Sequence, residues 1–307
     1  MPPAPIFAIT VPRTRALFRR NAAGHTRNLR CHSQYLAEAH TSLAFLHEVY
    51  DADWDAAEKE YKLAIQLNSG YATAHHWYGL FLTNEAEFST AKQELDRAEQ
   101  LDPLSLIIVS QTGHPFYFSR DYDKAIARYR KALEMDSTFW PAHMFLGLAL
   151  AQKKDFSEAI AEEEKANQLS GGSTKAMGAL GYVYAISDRA RDARAIAYRL
   201  IELSGQKFVS SYDVAVIYVG LREGDEAVKW LTASLKEGTL LDDHDLSSDP
   251  RMDTIRRDSR FQDLVNRIGL PKRTAVSSSG GTPTSPSERS QGGVREARAE
   301  QRVVQEG

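Results

Sequence analysis

Cysteine is almost absent from this chain: Cys31 stands alone among 307 residues. A single thiol excludes an intrachain disulfide and a multi-cysteine metal site. It fits a reducing, cytoplasmic setting. No stretch approaches the about 18 apolar residues of a membrane-spanning helix, so no membrane partner is expected. The sequence has no Gly-Lys-Ser/Thr phosphate loop and no paired-glycine dinucleotide turn. It also has no Gly-x-Ser-x-Gly elbow and no His-Glu-x-x-His helix. No catalytic residue, cofactor or metal is expected, and the chain is not read as an enzyme.

Acidic residues are missing from the first 37 positions, which carry six arginines. Residues 271–307 hold six basic and four acidic groups, which leaves 26 basic and 37 acidic residues over 38–270. That body has a net charge of −11 and repels a phosphate backbone. Nucleic-acid binding through it is not expected. The apolar stretch 6–11 precedes the arginines, the reverse of a secretory signal. Residues 1–34 read as a basic, disordered arm, with a nucleic-acid or lipid contact as the other reading.

Small residues recur on a fixed beat. Gly79, Gly113, Gly147 and Gly181 lie 34 positions apart, and so do Ala57, Ala91, Ala125, Ala159, Ala193 and Ala227. Ala64, Ala98, Ala132 and Ala166 form a third comb. A 34-residue period marks stacked helical hairpins. Two helices that cross closely need a side chain removed at the crossing, and glycine and alanine remove it. The array is placed at 35–241, in units 37–71, 72–105, 106–139, 140–173, 174–207 and 208–241. The first unit carries one extra residue, in Tyr50–Trp54.

In the fourth unit the spacing predicts helices over Pro141–Gln152 and Phe156–Leu169, with Lys154-Asp155 as the turn. Gly171-Gly172 supplies the stop. Asp102-Pro103 ends the second unit, because proline cannot continue a helix. Pro115 removes a hydrogen bond to Gln111 and should kink or shorten the first helix of unit three. A tolerated kink and a reshaped groove are both open. Residues 242–271 read as a C-terminal cap. Asp249-Pro250-Arg251-Met252-Asp253 and Asp258-Ser259-Arg260-Phe261-Gln262 echo one another there. Phe261, Leu264, Val265 and Ile268 share one helical face, expected to cover the last hairpin. The Ser-, Gly- and Pro-rich stretch in 272–307 reads as a disordered tail.

The chain resembles the tetratricopeptide repeat. Unit two has His75, Tyr78, Gly79, Leu82, Ala91, Leu95, Ala98 and Pro103 at the family's marked positions; unit three has Val109, Thr112, Gly113, Phe116, Ala125, Tyr129, Ala132 and Ser137. Unit five departs, with Ala197 and Leu200 in place of the aromatic and the alanine. The resemblance covers about two thirds of the chain. It implies an all-α, right-handed superhelical solenoid of about six hairpins with a C-terminal capping helix. The phrases Leu36–His40, Ala74–Tyr78, Leu101–Ile108 and the Asp-Pro-Arg/Asp-Ser-Arg-Phe ending resemble the C-terminal arrays of bacterial winged-helix one-component transcription regulators. That implies a signalling setting, with this chain corresponding to the regulatory half alone.

The family's concave positions fall here on His76, Leu80, Asn84, His114, Tyr117, Phe118, Met144, Leu148, Tyr182 and Tyr212. They imply a non-catalytic interaction scaffold holding a protein or peptide, such as an amphipathic helix. The alternative is a regulatory or oligomerisation module of a signalling system lacking its effector domain, with a homo-oligomer open to it. Whether the stripe faces a partner or packs on neighbouring helices is left open. His40, His75 and His143 share one repeat position. Hairpins stack about 10 Å apart, too far for one ion with bonds of about 2 Å, so they read as slot fillers. His76 and His114 read as partner contacts, with a metal or proton-switch role as the other reading.

Overall fold

Each interval of the beat folds as two helices joined by a tight turn. The computed structural model of the chain describes residues 33–238 and 246–268. Residues 1–32 of the basic arm, with Cys31, and the Ser/Gly-rich tail lie outside the described residues, while residues 33 and 34 of the expected arm belong to the first helix. Hairpin one pairs α1 (Ser33–Leu46) with α2 (Trp54–Leu67), and hairpin two pairs α3 (Ala72–Asn84) with α4 (Phe88–Leu101). In hairpin three, α5 (Leu106–Gln111) and α6 (His114–Phe118) face α7 (Tyr122–Met135). Then come α8 (Trp140–Gln152) with α9 (Phe156–Leu169), α10 (Thr174–Ile186) with α11 (Ala190–Ser204), and α12 (Ser211–Gly220) with α13 (Gly224–Glu237). A 3₁₀ turn (Pro250–Thr254) and α14 (Ser259–Ile268) follow. The described residues contain no strand; the fold is an all-α helical repeat solenoid.

The small residues do what their spacing demands. Every alanine of both combs is completely buried. A Cβ added at Gly79 would lie 2.6 Å from Leu95 Cγ, and one at Gly113 would lie 2.5 Å from Tyr129 Cε1. Gly147 meets Glu163 in the same way, at 2.7 Å from Cγ. Unit five differs as its sequence departs. Ala197 is too short to face Gly181, which instead meets Ile217 of the next hairpin at 2.5 Å and Ile196 of its own at 3.2 Å. Gly178 and Gly220 complete a close crossing of α10 and α12.

The turns inside the hairpins keep the beat as well. Ala52, Ala86, Arg120, Lys154, Asp188 and Arg222 are the non-glycine residues with positive φ among the described residues. Successive members are 34 positions apart. At hairpin two, Ala86 N–H donates to Thr83 O at 3.1 Å and Glu87 N–H donates to Leu82 O at 2.9 Å. This is the Schellman pattern, which satisfies the last carbonyls of the helix. It holds a non-glycine residue in a conformation costing about 1–2 kcal/mol. The extra residue of unit one is absorbed as a π-helical turn, His47–Asp51, the usual form of a one-residue helix insertion. Pro115 breaks its helix outright: α5 stops at Gln111 and α6 restarts with the proline in its first turn. Gly171 and Gly172 stand at φ of 63° and 87° after α9, as their sequence position requires.

Candidate functional site

The first helices of the hairpins line one face of the array, and most of the expected groove side chains are covered there. His76, His114, Tyr117, Phe118, Met144, Leu148, Tyr182 and Tyr212 are buried. Leu80 and Asn84 are half-buried. His76 Nε2 lies 2.6 Å from Gln111 Oε1 of the next hairpin, and burial lowers its pKa to about 4. The His114 ring stands edge-on to Phe145 at 4.3 Å. Tyr117 and Phe118 meet at right angles, with ring centres 5.2 Å apart. Gln152 Nε2 donates to the Tyr182 hydroxyl at 3.1 Å. Among the described residues no group of three His, Cys, Asp or Glu converges as metal ligands would.

The histidines on one repeat position clasp the second helix of their own hairpin, and two of them also hold the connection from the preceding hairpin. His75 Nδ1 lies 2.6 Å from Glu94 Oε2, and its Nε2 lies 3.1 Å from Ser69 O. His143 repeats both contacts with Glu162 and Ser137 O, and His40 repeats the first with Glu60. The sequence carried this signal. Glu60, Glu94 and Glu162 keep the 34-residue interval, and where Val109 replaces the histidine Arg128 replaces the acid.

From hairpin three to hairpin six, a later segment of the chain lies against this face. Sequence reading expected the helix at Phe261–Ile268 to cover the last hairpin. In the structure Phe261, Leu264 and Ile268 of α14 are buried, with Val265 partly buried, and α14 packs on α13. Residues 246–254 do something else. The Tyr212 hydroxyl donates to Asp249 Oδ2 at 2.9 Å and accepts from Arg251 Nη2 at 3.0 Å. Arg251 also pairs with Asp249 at 2.8 Å. Leu246, Asp249, Pro250, Arg251 and Met252 are all buried. Arg120, in the turn of hairpin three, donates to Ser248 O at 3.3 Å and to Asp253 Oδ1 at 2.7 Å. Thr254 Oγ1 donates to Val219 O at 3.4 Å. The segment therefore runs from hairpin six back to hairpin three.

The echo between the two Asp-x-Arg phrases is structural. Arg251 N–H donates to Asp249 Oδ1 at 2.8 Å, and Arg260 N–H donates to Asp258 Oδ1 at 2.9 Å. In both, the guanidinium closes back on the same carboxylate. The copies differ in burial. Asp258 is reached by solvent and Arg260 holds its carboxyl down at about 2; Asp249 is completely buried.

Between segment and array remains a void of ≈ 20 Å³ lined by His114, Tyr117, Met144, Leu148, Tyr212 and Arg251, among others. That is room for about one water, far below the about 300–1,000 Å³ of small-molecule sites. Nearby, Glu163 is completely buried, and neither carboxyl oxygen has a hydrogen-bond partner among the described residues. Burial raises its pKa well above the ordinary carboxylate range, and the Arg251 charge offsets part of that.

No protein-family model matches the chain, and no curated protein matches it. Solved structures do resemble it. TTC0263, a thermophilic TPR protein of Thermus thermophilus, aligns at 16% identity with a TM-score of 0.52, covering 65% of this chain and 99% of that one. PilF of Pseudomonas aeruginosa aligns at 15% identity and a TM-score of 0.48, covering 76% and 99%. YrrB, described as a TPR protein with an unusual peptide-binding site, aligns at 17% and 0.39, covering 62% and 93%. The first of these supports a shared architecture; the other two scores are too low to argue from. With the repeat beat, the paired helices and the close glycine crossings, it gives this chain the fold of a tetratricopeptide-repeat array.

Proposed function

We propose that the chain is a non-catalytic protein-interaction scaffold whose concave face holds a peptide segment. One observation carries this reading: that face already seats such a segment, residues 246–254, through an aromatic hydroxyl and an ion pair. The half of the face formed by hairpins one and two lies beyond the segment's reach at Arg120. There Leu80 and Asn84 are only half-buried, open to an apolar peptide or an amphipathic helix. The partner surface in this reading is continuous from Leu80 to Tyr212, with its distal part filled in cis. A signalling setting, implied by the resemblance of the Asp-Pro-Arg ending to regulator arrays, goes with it.

The test is a pull-down with the full chain and its Leu80→Glu variant. The reading expects a captured protein to be lost from the variant while its helical circular dichroism is unchanged. Equal capture by both chains would remove the concave face from partner binding. A tight homodimer in sedimentation, broken by the same substitution, would instead favour the oligomerisation module.

A further inference from the structure

The seat of residues 246–254 is selective in its chemistry. Asp249 and Arg251 lie two positions apart, and Tyr212 gives one hydroxyl to both, donating to the acid and accepting from the base. Met252 and Leu246 are buried beside them. Arg120 reads the backbone at Ser248 and the acid at Asp253. A carboxylate, a guanidinium two residues later and an apolar side chain immediately after satisfy this surface together. A segment lacking the pair would forgo both hydrogen bonds that the Tyr212 hydroxyl makes with it, which is costly at a buried site.

The seat is also occupied on terms that allow exchange. Burying two charges cancels much of their attraction, so the docked pair contributes specificity more than strength. The outer anchor, Arg120 to Asp253, has side chains 42% and 50% exposed, and exposed pairs contribute little. A tethered segment holds its place mainly through its high effective concentration.

We propose that hairpins three to six form a binding site for a partner peptide of Asp-Pro-Arg-apolar type, and that residues 246–254 are its cis occupant. This deepens the scaffold reading and rests on it. A partner carrying the same pattern takes the seat in trans when the cis copy is weakened. The cis copy thereby sets the threshold for binding.

The experiment uses the full chain and a fluorescein-labelled peptide with the sequence of residues 246–254, followed by fluorescence anisotropy. Asp249→Asn together with Arg251→Gln in the chain removes both charges, so neither is left buried and alone. Asp253→Ala is a milder variant that loses the exposed contacts to Arg120 and Arg256 and leaves the buried pair in place. The peptide is expected to bind the double variant at least tenfold more tightly than the unaltered chain, with Asp253→Ala between them. A peptide with alanine at the arginine position is expected to lose at least tenfold on the double variant. The proposal is overturned if both variants keep their helical circular dichroism and bind the peptide no better than a scrambled peptide. In that event, a partner still lost on Leu80→Glu would leave the scaffold reading standing and remove only this ligand class.

Discussion

Arg120 and Asp253 are 133 positions apart in the chain and 2.7 Å apart in the fold. Their contact ties the turn of hairpin three to the segment that follows hairpin six. A repeat array is held by neighbour-to-neighbour contacts; this one adds a return strap across four hairpins. Two of the strap's ion pairs differ in kind. Arg120 and Asp253 are solvent-exposed, whereas Arg251 and Asp249 are buried. Arg120→Ala is therefore expected to cost about 0–1 kcal/mol. Arg251→Ala takes the guanidinium away from a buried carboxylate and is expected to cost about 3–5 kcal/mol. Urea denaturation of both variants measures the contrast, and equal losses would contradict the seating of the segment.

Glu163 occupies the slot that Leu95 and Tyr129 fill in the preceding hairpins, each facing the glycine of its own crossing. A leucine fits that hole. Glu163→Leu is expected to stabilise the fold by about 1–3 kcal/mol at pH 7, because it removes a buried, unsatisfied carboxyl. The gain should grow as pH rises above the ordinary carboxylate range, since burial disfavours the ionised carboxyl in the folded state only. A loss of stability would mean the carboxyl has a partner in solution.

Glu48 supplies a second pH dependence at the other end of the array. It is buried, accepting from the Tyr61 hydroxyl at 2.9 Å and from Asn84 Nδ2 at 3.1 Å. Burial, with a smaller contribution from Glu85, raises its pKa from 4.5 to about 7. The protonated form is favoured by folding, so its share of stability is complete below about pH 4.5 and is lost as pH climbs through about 7. Glu48→Gln is expected to flatten the fall in stability between about pH 5 and 8. Thermal melts at several pH values check this. An unchanged slope would exclude Glu48 as its source.

The beat of close crossings makes opposite predictions at two small residues. Gly79→Ala gains about 1 kcal/mol in helix propensity, but its Cβ would lie 2.6 Å from Leu95 Cγ and 3.2 Å from Leu95 backbone nitrogen. Overpacking of about 1–3 kcal/mol wins, so the variant should melt lower. Ala86→Gly relieves a φ of 59° and should melt higher, by up to about 1 kcal/mol. Differential scanning calorimetry separates the two signs.

Much of the fold was legible because a repeat writes its packing into local spacing. The alanine and glycine combs, the broken helix at Pro115 and the extra residue before Trp54 each report contacts within one hairpin or the next. The site was less legible for the same reason. Tyr212 stands where a groove residue stands, but its hydroxyl is taken up by a segment that returns from far along the chain. Spacing says nothing about such a return. The Asp-x-Arg echo marked residues 249–251 and 258–260 as equivalent, yet only the first pair goes into the groove. Glu163 escaped because an acid on a mostly polar helix reads as solvated until its opposing glycine is known.

The central claim is that the concave face holds a peptide, in this chain its own. Hydrogen exchange of the Arg251, Met252 and Ile255 amides tests it most directly. Each donates to an acceptor on the docked segment, Asp249 Oδ1, Asp249 O and Met252 O. The account predicts protection comparable to the buried helices of hairpin six, and its loss when the Asp249 and Arg251 charges are removed. Exchange within seconds in the unaltered chain, at the rate of an exposed peptide, would contradict it.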